Sequence, residues 1–591
     1  MKEFFKFTLA TITGIVLFIV ITGIFGLISI VGMISTSEAT QTVKDNSVFV
    51  LKLSGIMNER SDDNIMSQIS DDVNTIGLDD VLDAIEKAKK NDKIKGIYIE
   101  AGMFSPDSYA SLQAMRNALN DFKKSGKWIV AYGDVYTQGT YYVCSVANKV
   151  YLNPVGMVDW HGLAAEPYYL KDMFDKIGVK VQLFKVGTYK SMPETYTADK
   201  MSDANRIQVK AYIGGIWNTI CKDVSTSRGI SAEQLNRYAD DYIVMADAKD
   251  LVKYKMVDGL LYNDQIKKEI KKLLKIDEGK SANQLSLSQM KNVENKKKEG
   301  DEIAVYYAYG SVVSSNTSSV GEQTINSNVV DKDLEGLMKD DNVKAVVIRV
   351  NSGGGSSFAS EQIWHAVEML KAKKPVVISM GGMAASGAYY LSCGANWIVA
   401  EPTTLTGSIG IFGMIPDVSG LLTQKLGIKF DVEKTNKSSD FGSLSRPFNV
   451  DESNAFQASI DRGYALFRSR VATGRKMKVE DVEKIAQGHV WLGETAIKLG
   501  LIDQLGDLNI AVAKAAQLAK ISNGDYQTSS YPAKVSWIDQ LLEKAVGSSN
   551  NYLDEQLKVT LGEYYQPLMI IKDFGKQDKI QARIPYTISV K

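Results

Sequence analysis

The chain has 591 residues, 45% hydrophobic and 23% charged, which describes a globular protein too long for one hydrophobic core and expected to divide into domains. Lys plus Arg and Asp plus Glu are both 69, so the formal net charge is zero and no global basic field exists to hold a polyanion, which argues against a nucleic-acid binder that works by bulk charge. Three cysteines (Cys144, Cys221, Cys393) and three histidines (His161, His365, His489) stand nowhere at ligand spacing, so a zinc site and a disulfide framework are poor expectations and little histidine is left to serve as a base.

From Phe7 to Ile34 there is no charged residue, and at about 1.5 Å per helical residue the segment can cross about 30 Å of hydrocarbon. Lys2 and Lys6 precede it and Glu38 is the first charge after it, so the positive-inside rule puts the N-terminus in the cytoplasm and the rest of the chain outside. Residues 1–34 are read as a cytoplasmic stub and transmembrane anchor, and 35–46 as a polar tether. The small residues Ser35-Thr36-Ser37 would suit signal-peptide cleavage, but the apolar stretch is roughly twice the usual core of about 7–15 residues, and retention is expected.

Beyond the tether the chain resembles itself. Lys95-Gly-Ile-Tyr-Ile99 and Tyr109-Ala-Ser111 match Lys344-Ala-Val-Val-Ile348 and Phe358-Ala-Ser360, both at an offset of 249. Ile129-Val-Ala-Tyr-Gly133 and Gly139-Thr-Tyr-Tyr142 match Val377-Ile-Ser-Met-Gly381 and Gly387-Ala-Tyr-Tyr390 at 248. Two repeats are expected, 47–262 and 302–525, joined by a linker, 263–301, with helical spacing from Ile266 to Leu274 and the basic run Lys296-Lys-Lys298. In the second copy, Ala345–Val350, 360–373, Pro375–Met380, Ala388–Gly394 and Trp397–Ala400 read strand, helix, strand, helix, strand. That alternation is the pattern of an α/β unit on a mostly parallel sheet. The tail, 526–591, carries no motif.

The copies differ at three positions where chemistry could reside. The first strand of copy two runs into Asn351-Ser-Gly-Gly-Gly-Ser356, whose bare backbone N–H groups are a candidate oxyanion hole. Copy one has Pro106 where copy two has Gly355, and proline has no N–H to offer. Ser386, in Gly381-Gly-Met-Ala-Ala-Ser-Gly387, stands at a predicted helix start, whereas its counterpart Gln138 cannot be a nucleophile. Conversely Lys190, in Val186-Gly-Thr-Tyr-Lys-Ser191, faces Ser439 in the other copy. One site split between two copies would explain this complementary loss.

These motifs, with Leu405-Thr-Gly-Ser-Ile-Gly-Ile-Phe-Gly413, resemble the signal peptide peptidase A (protease IV) family in its long duplicated form, over nearly the whole chain. Gly353 departs from the family's usual proline in the glycine loop. The resemblance implies two tandem crotonase/Clp protease-like α/β domains after the anchor and a Ser/Lys dyad, with Ser386 as nucleophile and Lys190 as general base. Ser408 is expected to orient the lysine, and N–H groups of Gly354 or Gly355 with Gly387 to hold the oxyanion. It further implies remnant signal peptides and other membrane-associated peptides as substrates, no cofactor or metal, and a homo-oligomer, a tetramer as first guess. The implied location is the bacterial cytoplasmic membrane, with the catalytic domains on the periplasmic side and the lipid bilayer engaged through residues 7–34. The rival readings are a crotonase-like acyl-CoA enzyme and an inactive membrane scaffold.

Overall fold

The computed structural model describes residues 40–61, 75–277, 279–294, 300–314, 323–522, 525–534 and 579–584, together with scattered positions between 4 and 22. The expected anchor, 7–34, therefore lies for the most part outside the described residues, and among the described residues no helix is long and apolar enough to cross a membrane.

Copy one builds β1 (Ser47–Asn58), α1 (Leu78–Lys90), β2 (Ile94–Ser105), α2 (Tyr109–Lys123), β3 (Trp128–Tyr136), α3 (Gln138–Cys144), β4 (Lys149–Val158), β5 (Lys180–Val186) and α4 (Asp203–Arg228). Its sheet runs Thr75–Gly77, β1, β2, β3, β4 and Gly259–Leu260, every pair parallel. Within the stretch expected to link the copies, Asn263–Leu273 is helical and Asn283–Leu285 pairs with β1. The strands are near-continuous apolar runs because helices cover both faces, as in Ile94, Ile97 and Ile99 of β2, all fully buried. Helix α1 starts on Asp79 and Asp80 and ends on Lys87, Lys89 and Lys90, matching its dipole at both ends. The start of α2 is fixed by Ser108, whose hydroxyl accepts from Ser111 N–H.

Copy two repeats the plan with β6 (Asp301–Tyr309), β7 (Val343–Ser352), β8 (Gly354–Ser356), α5 (Ser357–Lys371), β9 (Val376–Ala385), α6 (Gly387–Ser392), β10 (Trp397–Ala400), β11 (Leu405–Gly407), β12 (Ile411–Asp417), α7 (Val450–Arg475) and β13 (Val490–Leu492). The tail adds β14 (Tyr526–Tyr531) and β15 (Ile580–Arg583). Strands β13, β11, β9, β7, β6 and β14 form the second sheet in that order, with β10 beside β9.

A third sheet fastens the copies together. It runs Thr324–Asn326, Ser311–Val313, β8, β15, β12 and β5, so a strand of copy one closes against a strand of copy two. The β5–β12 ladder is antiparallel over seven residue pairs, from Val186↔Ile411 to Lys180↔Asp417. Phe184 on β5 consequently packs in the core of copy two, and Leu492 of copy two packs in the core of copy one. Burying a side chain of this size contributes about 2 kcal/mol. A buried polar knot spans the same boundary: Glu59 takes two hydrogen bonds of 3.0 Å from Arg349, and Asn351 Nδ2 donates to Asp107 at 2.7 Å.

Candidate active site

The special residues converge where the copies meet, at the carboxyl ends of β7 and β9. Strand β9 ends in a sharp turn into α6, and Ser386 sits on it with φ 58° and ψ −116°. A non-glycine residue at positive φ costs about 1–3 kcal/mol and persists only when its surroundings impose it. Here Ser386 N–H donates to Gly407 O at 2.8 Å and Ser386 O accepts from Tyr390 N–H at 2.8 Å, pinning the turn on both sides. Ser408, next to that acceptor, is also at positive φ.

Strand β5 carries the lysine loop into this turn. Past Val186 the chain passes Gly187 and delivers Lys190 so that Nζ lies 2.6 Å from Ser386 Oγ, 3.0 Å from Ser408 Oγ and 3.2 Å from Ser408 O. Lys190 and Ser408 are 1% exposed and Ser386 0%. Among the described residues no carboxylate pairs with Lys190. Burial alone therefore acts on the amine and holds its pKa well below the ordinary lysine value, which favours the neutral form. A neutral amine accepts a proton from a hydroxyl, whereas an ammonium cannot.

Copy one shows the same place filled in. The Gln138 side chain donates to Tyr109 Oη at 3.1 Å and to Gly162 O at 3.0 Å, and it accepts from His161 and Gly162 N–H. Ser439, opposite Lys190, lies in an exposed turn of copy two and has no part in the site.

Of the glycines expected to bind an oxyanion, Gly354 gives its N–H to Ser352 Oγ at 3.1 Å, while Gly355 and Gly387 lie side by side, a β-carbon built on Gly387 falling 3.1 Å from Gly355 N. Gly354 is nonetheless required: it lies at φ +92°, and a β-carbon there would be 2.7 Å from Gly387 N.

The sequence did not disclose what holds the lysine loop. Gln208, buried on α4, donates to Tyr189 O at 3.0 Å and to Ser191 Oγ at 2.9 Å, while its own oxygen accepts from Val490 N–H at 3.2 Å. Tyr189 N–H donates to Gln487 O at 2.8 Å, and Gly488 N–H to Ile409 O at 2.8 Å. A helical glutamine carries no local signal of this role. Gln208→Leu strands buried groups, each worth about 1–3 kcal/mol. We expect a lower unfolding midpoint and a kcat reduced by up to about 10²-fold with KM little changed, the mark of a positioning residue. Steady-state kinetics beside denaturant titration checks this.

A duplicated α/β fold that brings a strained serine and a buried amine together at the ends of two parallel strands defines a serine peptidase. The model for peptidase family S49 matches residues 121–277 and 368–522, and the Clp protease model matches 305–401. Protease 4 of Salmonella typhi is 36% identical over 92% of this chain and 89% of its own length. Protease 4 of Haemophilus influenzae is 32% identical over 91% and 89%, and the chloroplastic serine protease SPPA of Arabidopsis thaliana 28% identical over 88% and 76%. The chain belongs to peptidase family S49, in its long, duplicated signal peptide peptidase A form, on a Clp protease-like α/β fold.

Proposed function

We propose that the protein is a membrane-anchored serine endopeptidase in which Ser386 is the nucleophile and Lys190 the general base. The observation that carries this reading is the 2.6 Å approach of a buried, carboxylate-free Lys190 Nζ to Ser386 Oγ. Ser386 Oγ attacks the peptide carbonyl while Lys190 takes its proton and then passes it to the leaving amine; water completes the hydrolysis by the reverse traffic. Ser408, with Oγ and O both within 3.2 Å of Nζ, aims the amine, and the N–H groups of Gly355 and Gly387 receive the oxyanion.

The substrate class is peptides released at the bilayer, remnant signal peptides first among them. The uncharged segment Phe7–Ile34 supports this by tethering the site to the membrane, and Lys2 and Lys6 favour an N-terminus inside and catalytic domains on the periplasmic face of the cytoplasmic membrane. Assembly into a homo-oligomer, with a tetramer as the first size to test, is supported by an exposed apolar segment of copy two. The copy-two counterpart of β5 alternates apolar and charged residues from Ile428 to Glu433, yet it lies outside the sheets with Phe430 and Val432 exposed.

Hydrolysis of an unfolded, signal-like peptide by detergent-solubilised protein tests the reading. Wild type is expected to turn over, and Ser386→Ala and Lys190→Ala to lose activity together; equal rates in all three contradict it. Because only neutral Lys190 is competent, kcat/KM is expected to rise with pH through the lowered pKa of that amine and to be largely developed before the ordinary lysine range near about 10.4. A pH–rate profile between about pH 5 and 10 reads this.

A further inference from the structure

The strands of the copy-one sheet run parallel, so their starts lie at one end, and the helices that return between them finish at that same end. This end points away from copy two, because the opposite, carboxyl ends of the strands carry Glu59 and Asp107 to the seam. It is strongly basic although the chain as a whole is neutral. Lys44 stands in the turn into β1, the stretch 87–95 leading into β2 holds five lysines and one aspartate, and Lys149 opens β4. Helix Asn263–Leu273 leads back to the strand beside β1, and its end carries Lys271, Lys272 and Lys275 with no carboxylate from 271 to 275.

Lysine at a helix C-terminus answers the helix dipole, but that preference acts equally on both copies. Copy two is therefore the control, since its elements repeat the same plan. The stretch 336–344, at the offset of 249 from 87–95, holds two lysines and two aspartates. Residues 516–520, which end the helix equivalent to Asn263–Leu273, hold one lysine. Strand β6 opens on Asp301 and Glu302, and β10 on Trp397 where β4 has Lys149. The turns into β3 and β9 are alike, with three lysines each. The excess thus belongs to copy one and has a cause beyond helix capping. Part of it is used within the fold: Lys127 binds the carbonyls of Ala88, Lys89 and Asn91, and Lys90 pairs with Glu86. Lys44, Lys95, Lys149, Lys272 and Lys275, by contrast, are exposed and pair with no carboxylate among the described residues. Like charges gathered on one face repel, and an anionic partner relieves that repulsion.

We propose that this end of copy one is a docking face for anionic phospholipid headgroups, which stands the folded body upright on the bilayer; the inference rests on the membrane-anchor reading given above. Lys44 comes ten residues after Ile34, and ten residues span at most about 35 Å, so the bilayer crossed by residues 7–34 is a polyanion within reach of this face. Each lysine brought to an anionic surface adds an attraction that fades within a Debye length, about 8 Å at physiological salt. Docking also sets the height of the catalytic centre. Strand β1 is 12 residues long, so its far end, where Glu59 meets Arg349, stands roughly 40 Å above the headgroups. Asn351, at the start of the glycine loop, bonds the same Glu59 and lies at that level. A peptide must then be clear of the bilayer by about a dozen extended residues before it is cut, which favours released peptides over segments still inserted.

Full-length protein carrying a single dye reads the outcome. The native cysteines Cys144, Cys221 and Cys393 are buried, so the dye goes to Ser125→Cys, in the exposed turn into β3, or to Ala372→Cys, in the matching turn of copy two. Each protein is reconstituted in phosphatidylcholine vesicles, with or without phosphatidylglycerol, that carry a nitroxide quencher on the headgroup. Quenching at Ser125→Cys is expected to rise at least about threefold with phosphatidylglycerol and to fall back in 1 M salt, where the Debye length is about 3 Å. It should also fall back when Lys44, Lys95, Lys149 and Lys272 are all replaced by glutamate, while the dye at Ala372→Cys shows no lipid dependence. Equal quenching in both lipids, or quenching that survives both salt and charge reversal, overturns the docking face. Flotation separates this from the anchor. Protein that floats with phosphatidylcholine yet shows no phosphatidylglycerol-dependent quenching contradicts docking and leaves the anchor standing. Flotation only with phosphatidylglycerol supports docking and overturns the anchor, and flotation with neither contradicts both. A DNA duplex that binds through the same four lysines, with quenching indifferent to phosphatidylglycerol, assigns the face to a soluble polyanion and overturns the lipid.

Discussion

Replacing Lys190 by methionine is expected to lower kcat by about 10⁴-fold while leaving a folded protein. Methionine fills a similar volume in the same apolar surroundings but cannot accept the Ser386 proton, and among the described residues no other base lies within hydrogen-bonding reach of Ser386 Oγ. The variant also separates chemistry from stability through pH. An unfolded lysine stays protonated up to about pH 10.4, whereas burial drives the folded Lys190 to release its proton well below that. Across the interval the unfolded state binds more protons, so wild-type stability rises with pH until the unfolded lysine also titrates. Lys190→Met lacks this term, so the difference in stability between the two proteins should change steadily in favour of wild type as pH rises. Urea titrations at several pH values measure it. A constant difference would mean that the lysine is charged in the folded protein.

The second large effect is structural and lies at the seam between the copies. Glu59→Ala is expected to cost about 3–5 kcal/mol, because Arg349 stays behind as a buried charge without its partner. The pair is 3% and 4% exposed and makes a two-pronged contact at 3.0 Å, so solvent cannot replace the lost carboxylate. The same knot reaches the glycine loop: Asn351 donates to Glu59 at 3.1 Å and to Asp107 at 2.7 Å and accepts from Met383 N–H at 3.1 Å. Burial and the nearby Glu59 carboxylate push Asp107 up to about 7. Activity should therefore fall along with stability in Glu59→Ala. The double variant Glu59→Leu/Arg349→Met removes both charges and should recover most of the lost stability, which a denaturant midpoint reads directly.

Much of this architecture was legible in the chain. Equal offsets between Lys95 and Lys344 and between Tyr109 and Phe358 expose the duplication, and β-branched runs such as Ala345–Val350 fall within strands. The split site was legible for a different reason: Gln138 and Ser439 occupy the places where Ser386 and Lys190 would otherwise recur, and such reciprocal loss needs no structure to notice. What stayed hidden depends on pairing between distant segments. Lys190 and Ser386 are 196 residues apart, and they meet because β5 joins β12, a partnership for which neither strand's own pattern holds any sign. Gln208 reads as an ordinary residue of an amphipathic helix until the loop it holds is seen against it. Strand β15 is only Ile-Gln-Ala-Arg, too short to stand out, and its position comes from the two edges that receive it. Among the glycines, sequence singled out the loop that lies against the Ser386 turn but could not tell that Ser352 takes the Gly354 N–H.

In the proposed mechanism a neutral Lys190 activates Ser386 across the boundary between the two copies. The rate at which a fluorophosphonate acylates Ser386, followed by mass spectrometry as a function of pH, tests it most directly because it needs no knowledge of the natural substrate. Labelling is expected to be confined to Ser386, to rise with pH through a single proton loss well below the ordinary lysine value, and to be absent in folded Lys190→Met. Equal labelling of wild type and Lys190→Met, or a rate that climbs only near about pH 10.4, would contradict it.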